Sequence, residues 1–433
     1  MSEPHDTGAT HRAIEAIWRI EAASVVAKLA RMLRGDVGTA EELAQDALVA
    51  ALEDWPAHGV PANPGAWLMA TGKRRAIDRL RHRTMAEREI GAIGQDMDAL
   101  GTSVEPDFAD ALIDAMDDDI GDDLLRLIFT ACHPVLPKEA RVALTLRLLC
   151  GLGIEEIARA FLAPVPTIQQ RIVRAKRALA EARVPFEVPH GAERDARLAS
   201  VLEVIYLVFN EGYAATAGDD WMRPALVDDA LRLGRVLVGL APHESEVHAL
   251  VALMEIQASR IAARAAANGE PILLLDQNRA RWDPLLIRRG LAALGRAQQL
   301  ADAKGAGLGA YALQAAIAAC HARALSAEAT DWPRIAALYD ALAQVLPSPI
   351  VELNRAVAVA MAYGADEGLA IVDRLQADGV LDGYHLLPSV RADLLAKLGR
   401  HDEARAEWLR AAGMTRNARE KALLMKRAGS GVH

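Results

Sequence analysis

Cysteine is nearly absent: Cys132, Cys150 and Cys320 are all that 433 residues contain. Three widely spaced cysteines exclude a disulfide framework or a zinc knuckle as the organising device. Aromatic residues are scarce at 4%, while alanine and leucine abound, which favours helix over sheet. No apolar run reaches the ~18–20 residues needed to span a bilayer. The opening MSEPHDTGATHR lacks the apolar core of a signal peptide. A cytoplasmic chain with no membrane partner is therefore expected. A surplus of positive charge is also missing. Lys and Arg number 49 against 58 Asp and Glu, a net −9. The molecule as a whole is no general nucleic-acid binder, so any contact with a polyanion must come from local basic patches.

Motifs for catalysis are equally thin. Twelve histidines form no HEXXH pattern, CxxC and GxSxG are absent, and no glycine-rich loop could cradle phosphate. His243 and His248 are five apart, and neither sits in a ligand constellation. No metal, no cofactor and no enzymatic activity are expected.

What the chain does contain is helix with two basic faces. The segment GLGIEEIARAFLAPVPTIQQRIVRAKRAL (Gly151–Leu179) reads as two short helices flanking a turn at Leu162–Val165. Pro166 stands where a helix can begin, since the N–H it lacks would be unpaired there anyway. Ile168, Ile172, Ala175 and Leu179 recur at helical spacing and predict the buried stripe. The other faces carry Thr167, Gln169, Gln170, Arg171, Arg174 and Arg177. Gln and Arg of this kind reach base edges in a major groove, and Arg or Lys also hold phosphates. The competing reading is a solvated basic face on an ordinary bundle helix.

The second basic face comes about 80 residues earlier. Thr39 and Glu42 read as a capping box opening the helix AEELAQDALVAALEDW. The loop His58–Gly65 separates it from a helix beginning at Ala66. That next helix carries Lys73, Arg74, Arg75, Arg79, Arg81, His82 and Arg83 against the single acid Asp78. From Glu87 to Asp123 the character inverts into a run of acids, read as a solvated linker. Helix resumes from Asp123, and Val184–Pro189 reads as an extended linker. Beyond Pro189 the chain reads helical to its end. There, Asn354–Val372 lines up with Ser389–Trp408 at an offset of about 35 residues, Gly364 falling on Gly399, as in stacked tetratricopeptide-like hairpins. Asn210–Tyr213 and Asp276–Asp283 mix polar and aromatic residues, which suits either a ligand site or caps and buried salt bridges.

AEELAQDALVAAL, AWLMATGKRRAIDRLRHR and the helix-turn-helix resemble, in order, the polymerase-binding, −10-reading and −35-reading helices of extracytoplasmic-function (ECF) sigma factors. FNEGY (Phe209–Tyr213), DQNRARWD (Asp276–Asp283) and the C-terminal hairpins look like a subgroup with a long tetratricopeptide-like extension. The resemblance implies an all-α fold in four parts. These are a sigma-2-like domain at residues 10–86, an acidic linker at 87–121, a sigma-4-like domain at 122–186 and an extension at 190–433. The extension would carry repeats from about 330 to 412. It implies promoter DNA and the RNA polymerase core as partners, through the β′ clamp helices and the β flap, and a regulatory partner or ligand for the extension. Gln45 and Asp46 would meet the clamp, with Leu48 and Leu52 packed behind them. His58 and Asn63 match the loop that captures a flipped −10 base, and Lys73, Arg74, Arg75 and Arg79 follow on the −10 helix. Trp67 aligns with a supporting tryptophan and reads best as a core aromatic. Arg74 stands where the family usually has Asn, which puts −10 base preference in doubt, since Arg prefers guanine or phosphate. In the family the acidic segment threads the polymerase cleft. An adaptor built on the helical repeats, with an incidental helix-turn-helix, is the alternative; such a protein has no reason to bind β′.

Overall fold

A computed structural model describes residues 7–92, 120–161, 163–215, 217–218, 221–266 and 269–429. Nearly everything in it is helix. Three helices open the chain: α1 (Thr7–Met32), α2 (Val37–His58) and α3 (Pro64–Ala92). Helix α2 starts three residues earlier than the Thr39–Glu42 pattern predicts. Asp36 is its cap, accepting from the Thr39 amide at 3.0 Å and from the Thr39 hydroxyl at 2.8 Å. A carboxylate fits this position better than a hydroxyl because it also meets the positive end of the helix dipole. Glu42 is thereby released to face α3. That helix is capped in turn by Asn63, whose Oδ1 accepts from the Ala66 amide at 3.1 Å, and it begins at Pro64 rather than Ala66.

Of the predicted acidic linker, residues 93–119 lie outside the described residues. Its two ends are helical: residues 87–92 continue α3, and α4 (Ile120–Ala131) begins before Asp123. Asp123 itself is not solvated. It is 1% exposed and pairs with Arg31 of α1 at 3.2 Å and with Arg126 at 2.7 Å. A buried carboxylate needs such partners. Helices α5 (Lys138–Leu148), α6 (Ile154–Ala160), α7 (Val165–Glu181) and α8 (Gly191–Tyr213) follow.

The chain divides into two compact units: residues 1–159 with 163–204, and residues 160–162 with 205–433. The seam falls inside α8 rather than at the Val184–Pro189 linker. The reason is visible in the first half of α8. Arg141 of α5, 8% exposed, donates to the Ser200 hydroxyl and lies 3.4 Å from Glu203. Ser200 in turn donates to the Cys132 carbonyl at 2.6 Å, and Lys138 pairs with Glu203 at 2.6 Å.

The second unit stacks helices in sequence: α9 (Pro224–Leu240), α10 (Ser245–Ala258), α11 (Pro284–Ala303), α12 (Ala310–Arg323), α13 (Trp332–Val345), α14 (Pro349–Tyr363), α15 (Ala365–Ala377), α16 (Leu386–Lys397), α17 (His401–Met414) and α18 (Ala418–Gly429). Most pack mainly on a neighbour in the chain, but α12 packs chiefly on α10, two helices back. Gly364 and Gly399 both turn one helix into the next with positive φ, 127° and 74°, at equivalent points of the α14–α15 and α16–α17 hairpins. Two departures from continuous helix stand out. Among the described residues of 259–283, helix is limited to short 3-10 turns, and Ala265 bridges Pro271. A two-residue parallel ladder joins β1 (Ala217–Gly218) to β2 (Arg416–Asn417). Asn417, 1% exposed, donates to the Ala215 carbonyl across 202 residues, so the end of the extension returns to its start.

Candidate nucleic-acid interface

Helix α7 buries the four residues that its periodicity marks, Ile168, Ile172, Ala175 and Leu179. All six predicted −35 residues lie off that stripe: Thr167, Gln169, Gln170, Arg174 and Arg177 are exposed and Arg171 is half-buried. Arg177 donates to Glu181 at 2.6 Å, and that hydrogen bond raises its pKa. An exposed i,i+4 pair of this kind is weak, so it does little to hold the guanidinium. Beside the helix a hollow of about 420 Å³ is lined by Pro137, Glu139, Thr167, Gln170, Arg171 and Arg174.

The earlier basic face is held on α3 by its neighbour α2. Arg75 lies 3.3 Å from Asp46, and Arg79 lies 3.3 Å from Glu42. Arg74 and Arg79 are exposed, Lys73 and Arg75 half-buried. His58 ends α2 with its side chain 73% exposed, 2.9 Å from Asp54. Asn63 caps α3, so any base contact there must share its side chain with the cap. Trp67, half-buried, packs edge-on against the buried Trp55 at 5.3 Å between ring centroids, so it braces α3 on α2 from the edge of the core rather than from the inside position expected of it.

The predicted docking residues also stand on α2. Asp46 is 55% exposed, and Gln45 donates to Glu41. The backing differs from expectation. Leu52 is 37% exposed and Leu48 is half-exposed, so both lie on the surface with Val49. Leu43, Ala44, Ala47, Ala51 and Trp55 supply the buried side instead. A polar pair flanked by an exposed apolar strip is a better docking face than a polar pair alone, because contact removes apolar surface from water. The strip forms one wall of a cleft of about 670 Å³, whose other side includes Trp18, Arg147 and Gly151.

Sequence reasoning missed the residue that ties these faces together. Glu41, 6% exposed, accepts from Arg147 Nε at 2.7 Å and from Lys176 of α7. Burial pushes its carboxyl up, but Lys176 and Arg147 outweigh burial and hold it below the ordinary glutamate value. Arg19 adds a second link to Glu156 at 2.6 Å. Nothing in AEELAQ distinguishes Glu41 from a surface acid, because its partners lie 106 and 135 residues away.

The remaining chemistry is sparse. Cys132, Cys150 and Cys320 are buried free thiols, and burial pushes that of Cys132 up to about 11. Among the described residues no helix is long and apolar enough to cross a membrane.

Three families match the chain. Residues 21–85 match Sigma-70 region 2, residues 126–179 match Sigma-70 region 4, and residues 197–298 match a family of unknown function, DUF6596. An uncharacterized protein of Rhizobium meliloti is 42% identical over 385 residues, spanning 89% of this chain and 88% of its own. A probable ECF RNA polymerase sigma factor, SigI of Mycobacterium tuberculosis, is 27% identical over 246 residues, 55% of this chain and 80% of its own. The ECF RNA polymerase sigma-E factor of Escherichia coli is 40% identical over 60 residues, 14% of this chain and 31% of its own.

Proposed function

From the premise that this chain belongs to the ECF sigma factors, in a subgroup with a long helical C-terminal extension, we propose that it brings the RNA polymerase core to promoters by reading two DNA elements with α3 and α7. The observation that carries this reading is α7. Its buried stripe leaves Gln170, Arg171 and Arg174 together on the open side, beside a hollow that could admit a DNA backbone. Run-off transcription with core polymerase on genomic fragments tests it: specific transcripts are expected, and none should form with core alone. An adaptor carrying an incidental helix-turn-helix would give no specific transcript.

On α7, Arg174→Ala and Gln170→Ala are expected to weaken promoter binding by ~1–3 kcal/mol each and to relax base preference at the −35 element. Arg177→Ala should weaken all sequences alike and flatten the salt dependence, the behaviour of a phosphate contact. Footprints unchanged in all three variants would remove the assignment of this face.

On α2, Asp46→Arg would set a positive charge on the face proposed to meet the β′ clamp helices. Like charges across an interface cost several kcal/mol. Co-purification with core polymerase should collapse while helicity stays, and normal co-purification would mean that docking uses another surface.

The arrangement of the two reading helices suggests that the free chain is closed. The −10 and −35 elements lie about 25 base pairs apart, roughly 80 Å at 34–36 Å per helical turn. Lys176 of the −35 helix and Arg75 of the −10 helix both contact α2. A helix of α2's length runs only about 33 Å. Both elements cannot be occupied at once with Glu41 holding Lys176, so polymerase binding must open this contact. The extension would bias the same equilibrium, provided that its interactions differ between closed and open states. Removing it is expected to change transcription at least tenfold, about 1.4 kcal/mol. Loss of activity is the favoured direction, because a fused domain can also help hold the polymerase.

A further inference from the structure

The turn-rich segment of the extension gathers cationic groups around aromatic rings. The Arg264 guanidinium lies 3.6 Å from the Tyr213 ring centroid and 5.5 Å from that of Trp221. Arg260 lies 5.7 Å from Tyr213 and 5.8 Å from Trp282, and Arg279 lies 5.1 Å from Trp282. Tyr213 and the pair Arg279 and Trp282 come from the two polar–aromatic motifs that promoter reading leaves unused. All these residues fall within the stretch matching the family of unknown function.

Two of the three arginines have structural partners. Arg279 donates to the carbonyls of His321 at 2.6 Å and Ala324 at 2.7 Å and to the Thr330 hydroxyl at 3.0 Å, tying down the end of α12. Arg264 donates to the Tyr213 carbonyl. Arg260 is different: its Nε is buried with no acceptor. Among the described residues, no carboxylate forms an ion pair with any of the three, and exposed Glu328 acts on Arg279 only at a distance. Nearby, Arg279 Nε, Trp221 Nε1 and Trp282 Nε1 are also buried donors without acceptors. The clustered charge is felt by its neighbours. Burial, then Arg260 and Arg279, push His321 down to about 4, so it stays neutral.

Buried polar groups are ordinarily hydrogen-bonded, and buried charges are ordinarily paired. Gln277 Oε1 and His321 Nδ1 are buried acceptors without partners in the same region, but four buried donors and three uncompensated arginines outnumber them, so the cluster is complementary to something acceptor-rich and negative. The Tyr213 and Trp282 rings beside Arg260 hold its guanidinium in place and add apolar surface next to it. Arg260 and Tyr213 are only half-buried, so the cluster opens at the surface. We propose that Arg260, flanked by Tyr213 and Trp282 and backed by Arg264, binds the phosphate or carboxylate group of a small molecule, making this part of the extension a ligand site. The proposal rests on the extension alone and does not depend on how the chain reads promoters.

Thermal unfolding and tryptophan fluorescence of the full chain test it, with inorganic phosphate and benzoate added separately against chloride at matched ionic strength. Saturable binding of at least one anion is expected, raising Tm and changing tryptophan emission. Phosphate alone would identify a phosphate ligand, benzoate alone a carboxylate, and both the shared oxyanion chemistry. Arg260→Gln should weaken that binding at least tenfold, whereas Arg281→Gln, on the exposed side of the same turn, should leave it unchanged. Without ligand, Arg260→Gln should melt no lower than the parent, because it removes an unpaired charge. No response to either anion, or an equal response in Arg260→Gln, overturns the proposal. So does a ligand-free Arg260→Gln that melts well below the parent, since Arg260 would then be a brace between rings.

Discussion

A chain ended at Pro189 is expected to lose the stability of its DNA-reading unit, whereas a chain ended at Val204 keeps it. The difference lies in fifteen residues or so of α8 that the sequence places in the extension. Ending at Pro189 removes Ser200 and Glu203 and leaves Arg141, 8% exposed, without these two partners. Glu203 is 36% exposed, so the loss is smaller than the ~3–5 kcal/mol of a fully buried pair. The same cut removes Val201, 0% exposed, Leu202, 4%, and Leu198, 7%. Each fully buried side chain of this size adds about 1.5–3 kcal/mol. Against a total stability of roughly 5–15 kcal/mol, losses of this kind are a large fraction. Melting curves of the two shortened chains, followed by circular dichroism, check this. Equal midpoints would show that α8 contributes nothing to the first unit. Any measurement of regulation by the extension should therefore use the longer form, in which lost activity is not lost folding.

Glu41→Gln is expected to open the first unit. The substitution keeps the shape but leaves Arg147 and Lys176, 15% and 20% exposed, facing a neutral amide. The cost is again about 3–5 kcal/mol, since both cations are well shielded from water. Hydrogen exchange should quicken around α2 and α7. Promoter fragments should bind the free chain more tightly than they bind the parent, because Lys176 and its helix are released. Acid should mimic the substitution. Glu41 has its carboxyl held below the ordinary value, so its contribution is complete above about pH 4.3 and is lost as pH falls through the lowered value. The parent should therefore lose stability on that acid limb, and Glu41→Gln should lose less. Unchanged exchange in the variant, together with an identical acid limb, would remove Glu41 from the role of latch.

Local pattern carried much of this protein's design. The helix-turn-helix could be read from Ile168, Ile172, Ala175 and Leu179 because a helix with one buried face must repeat its apolar residues at 3.6. The basic face of α3 and the Gly364–Gly399 register follow equally from short-range rules of charge and backbone freedom. Those rules fail where a residue's environment comes from far along the chain. Asp36 rather than Thr39 caps α2, which the pattern of spacing could not separate. Asp123 looks like the last acid of a solvated run, yet Arg31 draws it into the core. Leu48 and Leu52 have the spacing of backing residues and lie on the surface. Glu41, Arg141 and Arg260 show the point most sharply. By composition each is an ordinary charged residue on a helix or turn. The sequence determined which stretches become helices and which faces are apolar or basic. Which charges are buried, paired or left without a partner was decided only by tertiary packing, because desolvation and Coulomb energy depend on neighbours in space.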